Sequence, residues 1–594
     1  MDEIHQVYLS KKRMRKLLAR VVFSLVLIAS AGILVWSWRV HSVEGVVRDE
    51  QGDPVPDAIV RVRTEKTHTT TNAAGEFQLT GFEPRIRTRI TVWADGYFVS
   101  GIDAWPWHSQ IEFLLERYPL DDNPDYAWVP PAVENRSAAE ERWIQTGLSA
   151  TAKLSFHYAF LPLTERLTLG CRDCHGDVIY DEWAGNAHAQ GADNALFLTM
   201  YNGTDMSGTL GAGIQFGKSA FYYNKEIIPA AQGSSGPAPG FRLDFPDTAG
   251  NCATCHLPSA ALDAPYATDP NDVTGVDAQG SHCDFCHKIV DVHLDPESGL
   301  PPENLPGVLS IDVVRPGNGE QVFFGPYDDV DVGPDTYLPL MKESQICAPC
   351  HNATFWGVPI YQSYSEWLES VYSDPDTGQT CQDCHMKPNE ETTNFAPARG
   401  GLQRDPTTLP THIFPGAADQ ELLRDAVSMQ VDVSRHDGTV VVNVTIENDN
   451  TGHHIPTDSP LRHLILLVQA SSENGDALEL LEGPTLPIWT GVGDPGEGNF
   501  AGLPGKAYAK ILQDVWTGEM PAASYWNPTK IVSDNRIHAL EADGTTYRFE
   551  IPEDEQLMIQ VQLLFRRAYK QLADRKGWEI SDILMAEEEI ILYE

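Results

Sequence analysis

Ten cysteines are the residues whose types and spacing most clearly predict chemistry. They form five Cys-x-x-Cys pairs with none left over, and a histidine directly follows each pair. The five stretches are Cys171-Arg-Asp-Cys174-His175, Cys252-Ala-Thr-Cys255-His256, Cys283-Asp-Phe-Cys286-His287, Cys347-Ala-Pro-Cys350-His351 and Cys381-Gln-Asp-Cys384-His385. Two thiols at this spacing reach one porphyrin edge, and the next imidazole is delivered to the iron. The sequence therefore predicts five covalently bound haem c groups, with those five histidines as proximal iron ligands.

Two other chemistries use paired cysteines. A single Cys-x-x-Cys can form a redox disulfide or half of a structural zinc site. Five copies, each with a histidine in the same place, are hard to explain in either way. Haem attachment is the interpretation that accounts for all five.

The ligand on the opposite face of each iron decides what that iron can do. Iron held by two histidines favours electron transfer, whereas an open position permits catalysis. The haem region supplies five further histidines for five irons, with two reserves beyond it: His157, His188, His282, His293 and His412, then His453 and His454. This count predicts distal ligation by histidine but assigns no pairs. Each of these histidines can instead be an ordinary hydrogen-bonded or surface residue.

Four segments must position these residues. Residues 1–41 are a basic tail and an apolar run, and residues 42–118 alternate polar and apolar residues between turns, as in a small β-sandwich. Residues 119–425 are rich in Gly, Pro, Asp and Asn, and haem plates would replace much of a side-chain core there. Residues 426–594 return to strand periodicity. The predicted fold is multidomain: a transmembrane helix, an immunoglobulin- or transthyretin-like sandwich, a largely irregular or α-helical multihaem domain, and a C-terminal β-sandwich.

The N-terminal apolar run predicts a membrane anchor. A basic cluster between Lys11 and Arg20 precedes residues 21–38, which carry no charge. That length suits a membrane helix, and the basic side predicts a cytoplasmic N-terminus. The expected location is the cell membrane, single-pass, with the bulk of the chain on the periplasmic or extracellular side. The alternative is a cleaved signal peptide ending near Ala29-Ser30-Ala31.

The chain is strongly acidic. Its 84 Asp and Glu against 42 Lys and Arg give a formal net charge of -42. Such a charge argues against nucleic acid as a partner, because phosphates would be repelled. It favours solubility and docking to basic proteins, but a merely solvated acidic surface is the preferred explanation, because charge alone rarely specifies a partner.

The N-terminal sandwich resembles a known module. Val43-x-Gly45-x-Val47 opens a pattern that continues with Gly75-x-Phe77-x-Leu79 and ends at Gly96-Tyr97. It is similar to carboxypeptidase-regulatory-like domains, which mostly act as spacers or adhesion modules. The resemblance implies a spacer here, and no catalytic set of residues is visible in this segment.

A second resemblance covers about residues 140–570. The elements Trp183-x-x-Asn186-x-His188-Ala189, His412-Ile-Phe-Pro-Gly416, Tyr364-x-Glu-Trp367 and Gly452-His-His-Ile-Pro-Thr457 resemble multihaem cytochromes c related to hydroxylamine oxidoreductase. The resemblance implies that His188 and His412 are distal haem ligands. Asn186 stands where serine is usual, only five haem motifs are present, and no tyrosine can be assigned to a haem crosslink. Hydroxylamine oxidation is therefore not expected.

The sequence as a whole predicts a membrane-anchored pentahaem electron carrier rather than an enzyme. Expected partners are redox proteins: a quinol-oxidising membrane complex, other cytochromes or a terminal reductase. One alternative is a multihaem reductase or oxidase of small nitrogen or sulfur compounds. Another is a structural haem subunit of a respiratory complex or of a cytochrome filament, so oligomerisation stays open.

Overall fold

The computed structural model divides the chain into two compact units. The first comprises Met1–Asp121 and Pro316–Leu338, and the second comprises Asp122–Arg315 and Pro339–Glu594. The structure describes residues 14, 16–30, 41–82, 87–105, 108, 110–154, 169–211, 215–216, 227–228, 239–317, 319–331, 333–551 and 556–593. The chain passes from one unit to the other three times, because residues 316–338 belong to the first unit while the residues on either side of them belong to the second.

The predicted membrane anchor over residues 21–38 is wrong. Residues 16–30 are helical. Across the described part of the chain, no helix is both long and apolar enough to cross a membrane. Residues 31–38 lie outside the described residues. The predicted single-pass location at the cell membrane is corrected with the helix.

The first unit is built on two small sheets. One sheet has Glu76–Phe82 and Gln110–Leu115 on either side of His41–Asp49, and the other has the order His68–Thr70, Ile59–Val62, Thr88–Trp93 and Ser100–Ala104. Alternate residues of the strands point inward, so Val47, Val60, Leu79, Ile90 and Phe113 are fully buried between the sheets. Strands predicted over residues 43–47, 58–63 and 89–94 are present.

Residues 316–338 add an acidic flap to this unit. The flap pairs strands Phe323–Gly325 and Asp335–Tyr337 in parallel. Arg63 donates to Asp331 at 2.9 Å, and Arg89 donates to the same carboxylate through Nε at 2.7 Å. Tyr337 packs edge-on against Trp93, with ring centres 4.7 Å apart. The flap is therefore held by buried ion pairs at one end and by aromatic packing at the other.

The haem-motif region of the second unit consists of short helices joined by turns. Its α-helices are Ala138–Leu154, Cys171–Ala184, Ala195–Asn202, Phe241–Asp244, Ala253–His256, Pro258–Ala261, Cys283–Cys286, Ala348–His351, Ser363–Leu368, Cys381–His385 and Gln420–Asp425. Its 3-10 turns are Ala187–Ala189, Gly275–Gln279, Gly307–Ser310, Pro339–Lys342, Ser344–Cys347, Val371–Ser373, Pro397–Arg399 and Pro406–Thr408. Small two-stranded sheets pair Gln215–Phe216 with Ile227–Ile228, Ile289–Val292 with Ile311–Val313, and Ala353–Phe355 with Val358–Tyr361.

The C-terminal part of the second unit is a β-sandwich. One sheet has the order Ser428–His436, Thr439–Glu447, Ala542–Glu550 and Leu480–Glu482, and the other has Gly505–Tyr508, His463–Ser472, Leu557–Arg566 and Ile583–Leu592. A hairpin, Lys510–Asp514 with Thr529–Asp534, lies beside them. Val442, Ile446, Leu466, Val468 and Val561 meet in the core.

The C-terminal sandwich contains the strands that the sequence predicts. Short turns Ile488–Thr490 and Pro495–Glu497 and one helix, Lys570–Lys576, accompany the sandwich. The predicted strands over residues 426–433, 439–446, 464–470 and 557–564 are present, with shifts of a few residues. The fold is β-rich, because alternating apolar residues bury one face of each strand. The predicted fold class, a transmembrane helix with two β-sandwiches and a largely irregular or α-helical multihaem domain, is corrected: the described chain is rich in sheets, and none of its described helices can cross a membrane.

Candidate haem-binding site

Each Cys-x-x-Cys-His motif lies on a short helical turn. The helices Cys171–Ala184, Cys283–Cys286 and Cys381–His385 begin at the first cysteine, while Cys252 and Cys347 are the N-caps of theirs. Residues three and four apart share one helix face, so a helical turn brings the two thiols and the histidine to the same side. All ten cysteines are free thiols. Every motif thus presents the arrangement that haem attachment requires.

Local hydrogen bonds fix the start of these turns. Thr380 and Asp383 form a capping box, in which the backbone N–H of Thr380 donates to Asp383 at 2.7 Å. Asp284 inside the third motif is buried and accepts from the Tyr126 hydroxyl at 2.9 Å and the Lys288 ammonium at 2.8 Å. Because that ion pair is buried, removing either partner would leave an uncompensated charge.

Thiols of different motifs contact each other. Cys171 is hydrogen-bonded to Cys283, Cys255 to Cys350, and Cys347 to Cys381. The hydrogen bond to Cys381 raises the pKa of Cys347, while accepting it lowers the pKa of Cys381 to about 7. With the motifs numbered in chain order from Cys171 to His385, motif 1 is therefore adjacent to motif 3, and motif 4 is adjacent to both motif 2 and motif 5.

Two motif histidines are oriented by backbone carbonyl groups. Nδ1 of His175 lies 2.8 Å from Phe395 O, and Nδ1 of His385 lies 2.8 Å from Pro415 O. A carbonyl oxygen only accepts, so Nδ1 carries the proton and Nε2 keeps its lone pair. This is the usual support of a histidine that binds a metal through its other nitrogen.

Two further histidines stand opposite motif histidines. The ring centres of His188 and His351 are 6.2 Å apart, and those of His453 and His385 are 6.4 Å apart. A metal–imidazole bond is about 2 Å, so an ion between two rings separates their centres by about 6 Å. Burial, then the neighbouring His351 and His385, lower the pKa of His188 to about 4. Its Nδ1 is buried without a hydrogen-bond partner. The ring-centre separation of both pairs matches that of two imidazoles bound to one iron.

His412 approaches two other motifs. Burial, followed by His287 and His175, lowers the pKa of His412 to about 3, and its Nδ1 is buried without a hydrogen-bond partner. Its backbone N–H donates to Glu182 at 2.8 Å. An apolar, unpaired imidazole between two motif histidines is the environment expected of an iron ligand.

Asn186 links the two distal candidates through its side-chain amide. Its Oδ1 accepts from the backbone N–H of His188 at 2.9 Å, and its Nδ2 donates to the carbonyl of His412 at 2.8 Å. In the sequence, Asn186 is notable only because it stands where related cytochromes usually have serine. Its bridging role depends on a residue more than 200 positions away, which no local pattern reveals.

The remaining candidates are placed in different ways. His282 is buried, accepts from Phe285 N–H through Nδ1, and has no partner at Nε2. His293 is exposed and pairs with Asp312 at 2.9 Å. His454 stacks on His538, with ring centres 3.9 Å apart. His157 lies outside the described residues.

Motif 2 has different surroundings. The ring of His256 stacks on Phe197 with centres 3.9 Å apart, and burial lowers its pKa to about 4. Tyr361 and Tyr525 are hydrogen-bonded to each other beside the cysteines of this motif. Within the described ranges, no imidazole stands opposite His256 at the ring distance seen for His351 and His385.

Asp458 is the charged group nearest to the motif 4 histidine. Its carboxylate lies 3.8 Å from Nδ1 of His351 and 3.6 Å from Arg462. Burial opposes ionisation, but the nearby His351, followed by the charges of Arg462 and Lys510, lowers the pKa of Asp458 to about 2. The carboxylate is therefore ionised at neutral pH.

A zinc site of the ordinary kind has no counterpart among the described residues. Nowhere in that part of the chain do three or more His, Cys, Asp or Glu residues converge as metal ligands.

Comparison with known proteins identifies one module. Residues 42–100 match the carboxypeptidase regulatory-like domain, as the sequence pattern predicted. No curated protein matches the chain. A penta-haem cytochrome c552 from Thermochromatium tepidum is similar in structure, with 18% identity, a TM-score of 0.46, and coverage of 71% of this chain and 97% of that one. A cohesin–X-dockerin complex from Acetivibrio cellulolyticus has 11% identity and a TM-score of 0.11, covering 22% of this chain and 89% of that one.

Proposed function

We propose that the chain is a multihaem c-type cytochrome that passes electrons between redox partner proteins. Its five Cys-x-x-Cys-His motifs hold five haems. The observation that carries the proposal is the pairing of His188 with His351 and of His453 with His385 at the separation an iron requires. Buried imidazole nitrogens without partners support it, because an unpaired buried polar atom is otherwise costly.

Each residue type has a distinct task in this proposal. The thiols tether the haem edge, and the motif histidines bind iron through Nε2 while carbonyl oxygens hold Nδ1. A haem c supplies an iron that gains or loses one electron without changing its two axial ligands. His188, His453 and His412 close the opposite faces, His412 on the iron of motif 3 or motif 1.

The thiol contacts support an order for the electron route. Motif 1 adjoins motif 3 through Cys171 and Cys283, and Cys286 of motif 3 lies near Cys347 and Cys350. From motif 4 the route divides toward motif 2 and motif 5. Electrons would enter and leave at the two ends and the branch, where partner proteins can dock.

The test is haem content of the full chain, produced in a host that attaches haem c. After denaturation the mass should exceed that of the polypeptide by five haems, with thioether-type spectra. Low-temperature paramagnetic resonance should show low-spin iron from pairs of histidines. A bare polypeptide mass from such a host would refute the proposal.

One observation favours a second candidate, a reductase of a small nitrogen or sulfur compound. The motif 2 histidine stacks on Phe197, and the Tyr361–Tyr525 pair lies near its cysteines. An iron open at this position would bind carbon monoxide in its ferrous form. Stoichiometric binding at one haem, with turnover of nitrite or hydroxylamine, would establish the enzyme; almost no binding supports the carrier.

A further inference from the structure

We infer that Asp458 is a positioning residue that lowers the reduction potential of the iron held by His351 relative to the irons of motifs 1 and 5. The inference rests on the proposed function, because it assigns a property to one of the proposed haem sites. Nδ1 of His351 faces the Asp458 carboxylate at 3.8 Å. Nδ1 of His175 and His385 faces neutral carbonyl oxygens instead.

The chemical consequence follows from charge. Oxidation of iron adds one positive charge to the site, and a carboxylate next to the ligand stabilises that charge more than a carbonyl dipole does. This effect favours the ferric state, so the potential falls.

Asp458 is held in place for this role. Its backbone lies in the left-handed region, with φ of 69°, which costs free energy for a residue other than glycine. Oδ1 is buried without a hydrogen-bond partner, so the carboxylate is not saturated by structural contacts. The preceding residue is fixed as well, because the Thr457 hydroxyl donates to the buried Glu366 carboxylate at 2.5 Å.

Glu366 in turn is anchored by a buried cation. Arg536 donates to Glu366 at 2.6 Å and to the carbonyl of Pro456 at 3.3 Å. Both side chains are almost fully buried. A rigid ion pair therefore supports the turn that presents Asp458 to His351, and the strain at Asp458 persists because its neighbours define the turn.

The position of motif 4 indicates how a lower reduction potential of its iron would influence electron flow. Its cysteines contact those of motif 2 and motif 5, so it lies at the branch of the proposed route. A lower potential there makes electron residence on this haem brief. Electrons would then be held on the branches rather than at the junction.

The experiment compares full-chain Asp458→Asn with the matched control Asp543→Asn. Asp543 is also a carboxylate of the second unit, and it pairs with Lys506 at 2.7 Å. Spectroelectrochemical titration should show one of the haem potentials raised in Asp458→Asn, by a tenfold or larger change in the ferric-to-ferrous ratio, about 59 mV. Asp543→Asn should leave every potential in place, and Asp458→Glu should restore part of the shift.

A second variant tests the inference even if Asp458→Asn disturbs the fold. Arg462→Gln removes the cation 3.6 Å from Asp458, so the carboxylate acts more strongly on His351 and the same potential should fall. All haems attached in Asp458→Asn with unchanged potentials, or an unchanged or raised potential in Arg462→Gln, would overturn the inference. Wild-type protein without covalent haem would instead refute the proposed function.

Discussion

Imidazole side chains at the axial positions carry the proposed function at the scale of single residues. In the proposed cytochrome, the rings of His188 and His453 would have no covalent tie to haem, whereas the motif histidines would follow tethered cysteines. Removing a distal ring therefore opens one iron and leaves the thioether bonds and the proximal ligand intact. This separation makes the distal positions the informative sites for mutation.

We expect His188→Ala and His453→Ala each to retain all five haems and to convert one low-spin iron to high spin. The physical reason is loss of one axial nitrogen from a six-coordinate iron. Paramagnetic resonance at low temperature and intact mass measure the two outcomes. His293→Ala is the control, because His293 is exposed and paired with Asp312. A fully low-spin spectrum in His188→Ala would contradict the assigned pairing with His351.

Asn186→Asp tests the amide bridge. Aspartate keeps the acceptor for His188 N–H but replaces the donor to the His412 carbonyl by an oxygen that repels it. We expect altered resonance signals from two irons, those opposite His188 and His412, with all haems attached. Asn194→Asp is the control, because Asn194 acts as an N-cap acceptor for Phe197 N–H, a task aspartate performs equally well. Resonance signals that change at one iron only, or at none, would contradict the bridging role of Asn186.

At the scale of elements, contacts between the acidic flap and the strands of the first unit hold the flap in place. The Asp331 side chain is only 2% exposed and accepts from both Arg63 and Arg89. Breaking a buried ion pair from one side typically costs about 3–5 kcal/mol, because the remaining charge stays buried. The flap Pro316–Leu338 and the strand Thr88–Trp93 therefore stabilise each other within the first unit.

We expect Asp331→Asn to detach the flap. Limited proteolysis of the full chain, read by mass spectrometry, should show faster cleavage within residues 316–338. Asp328→Asn is the matched control: Asp328 belongs to the same flap but accepts from Arg61 with 13% of its side chain exposed. Asp328→Asn should accelerate cleavage within residues 316–338 less than Asp331→Asn does. Equal cleavage rates in wild type and Asp331→Asn would show that the aromatic contacts of Tyr337 suffice.

Prediction from sequence succeeds where the signal is local. Five Cys-x-x-Cys-His motifs are contiguous, and the strands of both sandwiches follow from alternating apolar residues such as Val440, Val442 and Val444. The pairing of His188 with His351, the bridge at Asn186 and the return of residues 316–338 to the first unit join residues far apart in the chain. Periodicity and spacing contain no information on such contacts.

The membrane anchor illustrates the opposite error. An uncharged run over residues 21–38 satisfied a length criterion, but no helix in the described part of the chain is both long and apolar enough to cross a membrane.

The charge of the whole molecule governs how it meets a partner. A formal net charge of -42 creates a field that extends beyond single contacts and attracts basic proteins. Such steering acts on the rate of encounter more than on the strength of the final complex. It is screened within about 10 Å at 0.1 M salt. For a carrier, the rate of encounter is the property that matters.

We therefore predict that electron exchange with a basic redox protein slows as ionic strength rises. Between about 0.01 M and about 0.5 M salt, the second-order rate constant should fall roughly tenfold or more, because the Debye length shrinks from about 30 Å to a few ångströms. Stopped-flow absorbance of the haem bands measures this rate. An acidic redox protein is the control, and its rate should rise as salt screens the repulsion. If the basic partner's rate stayed constant or rose with salt, the acidic surface would serve solubility alone and partner docking would have to rely on uncharged contacts.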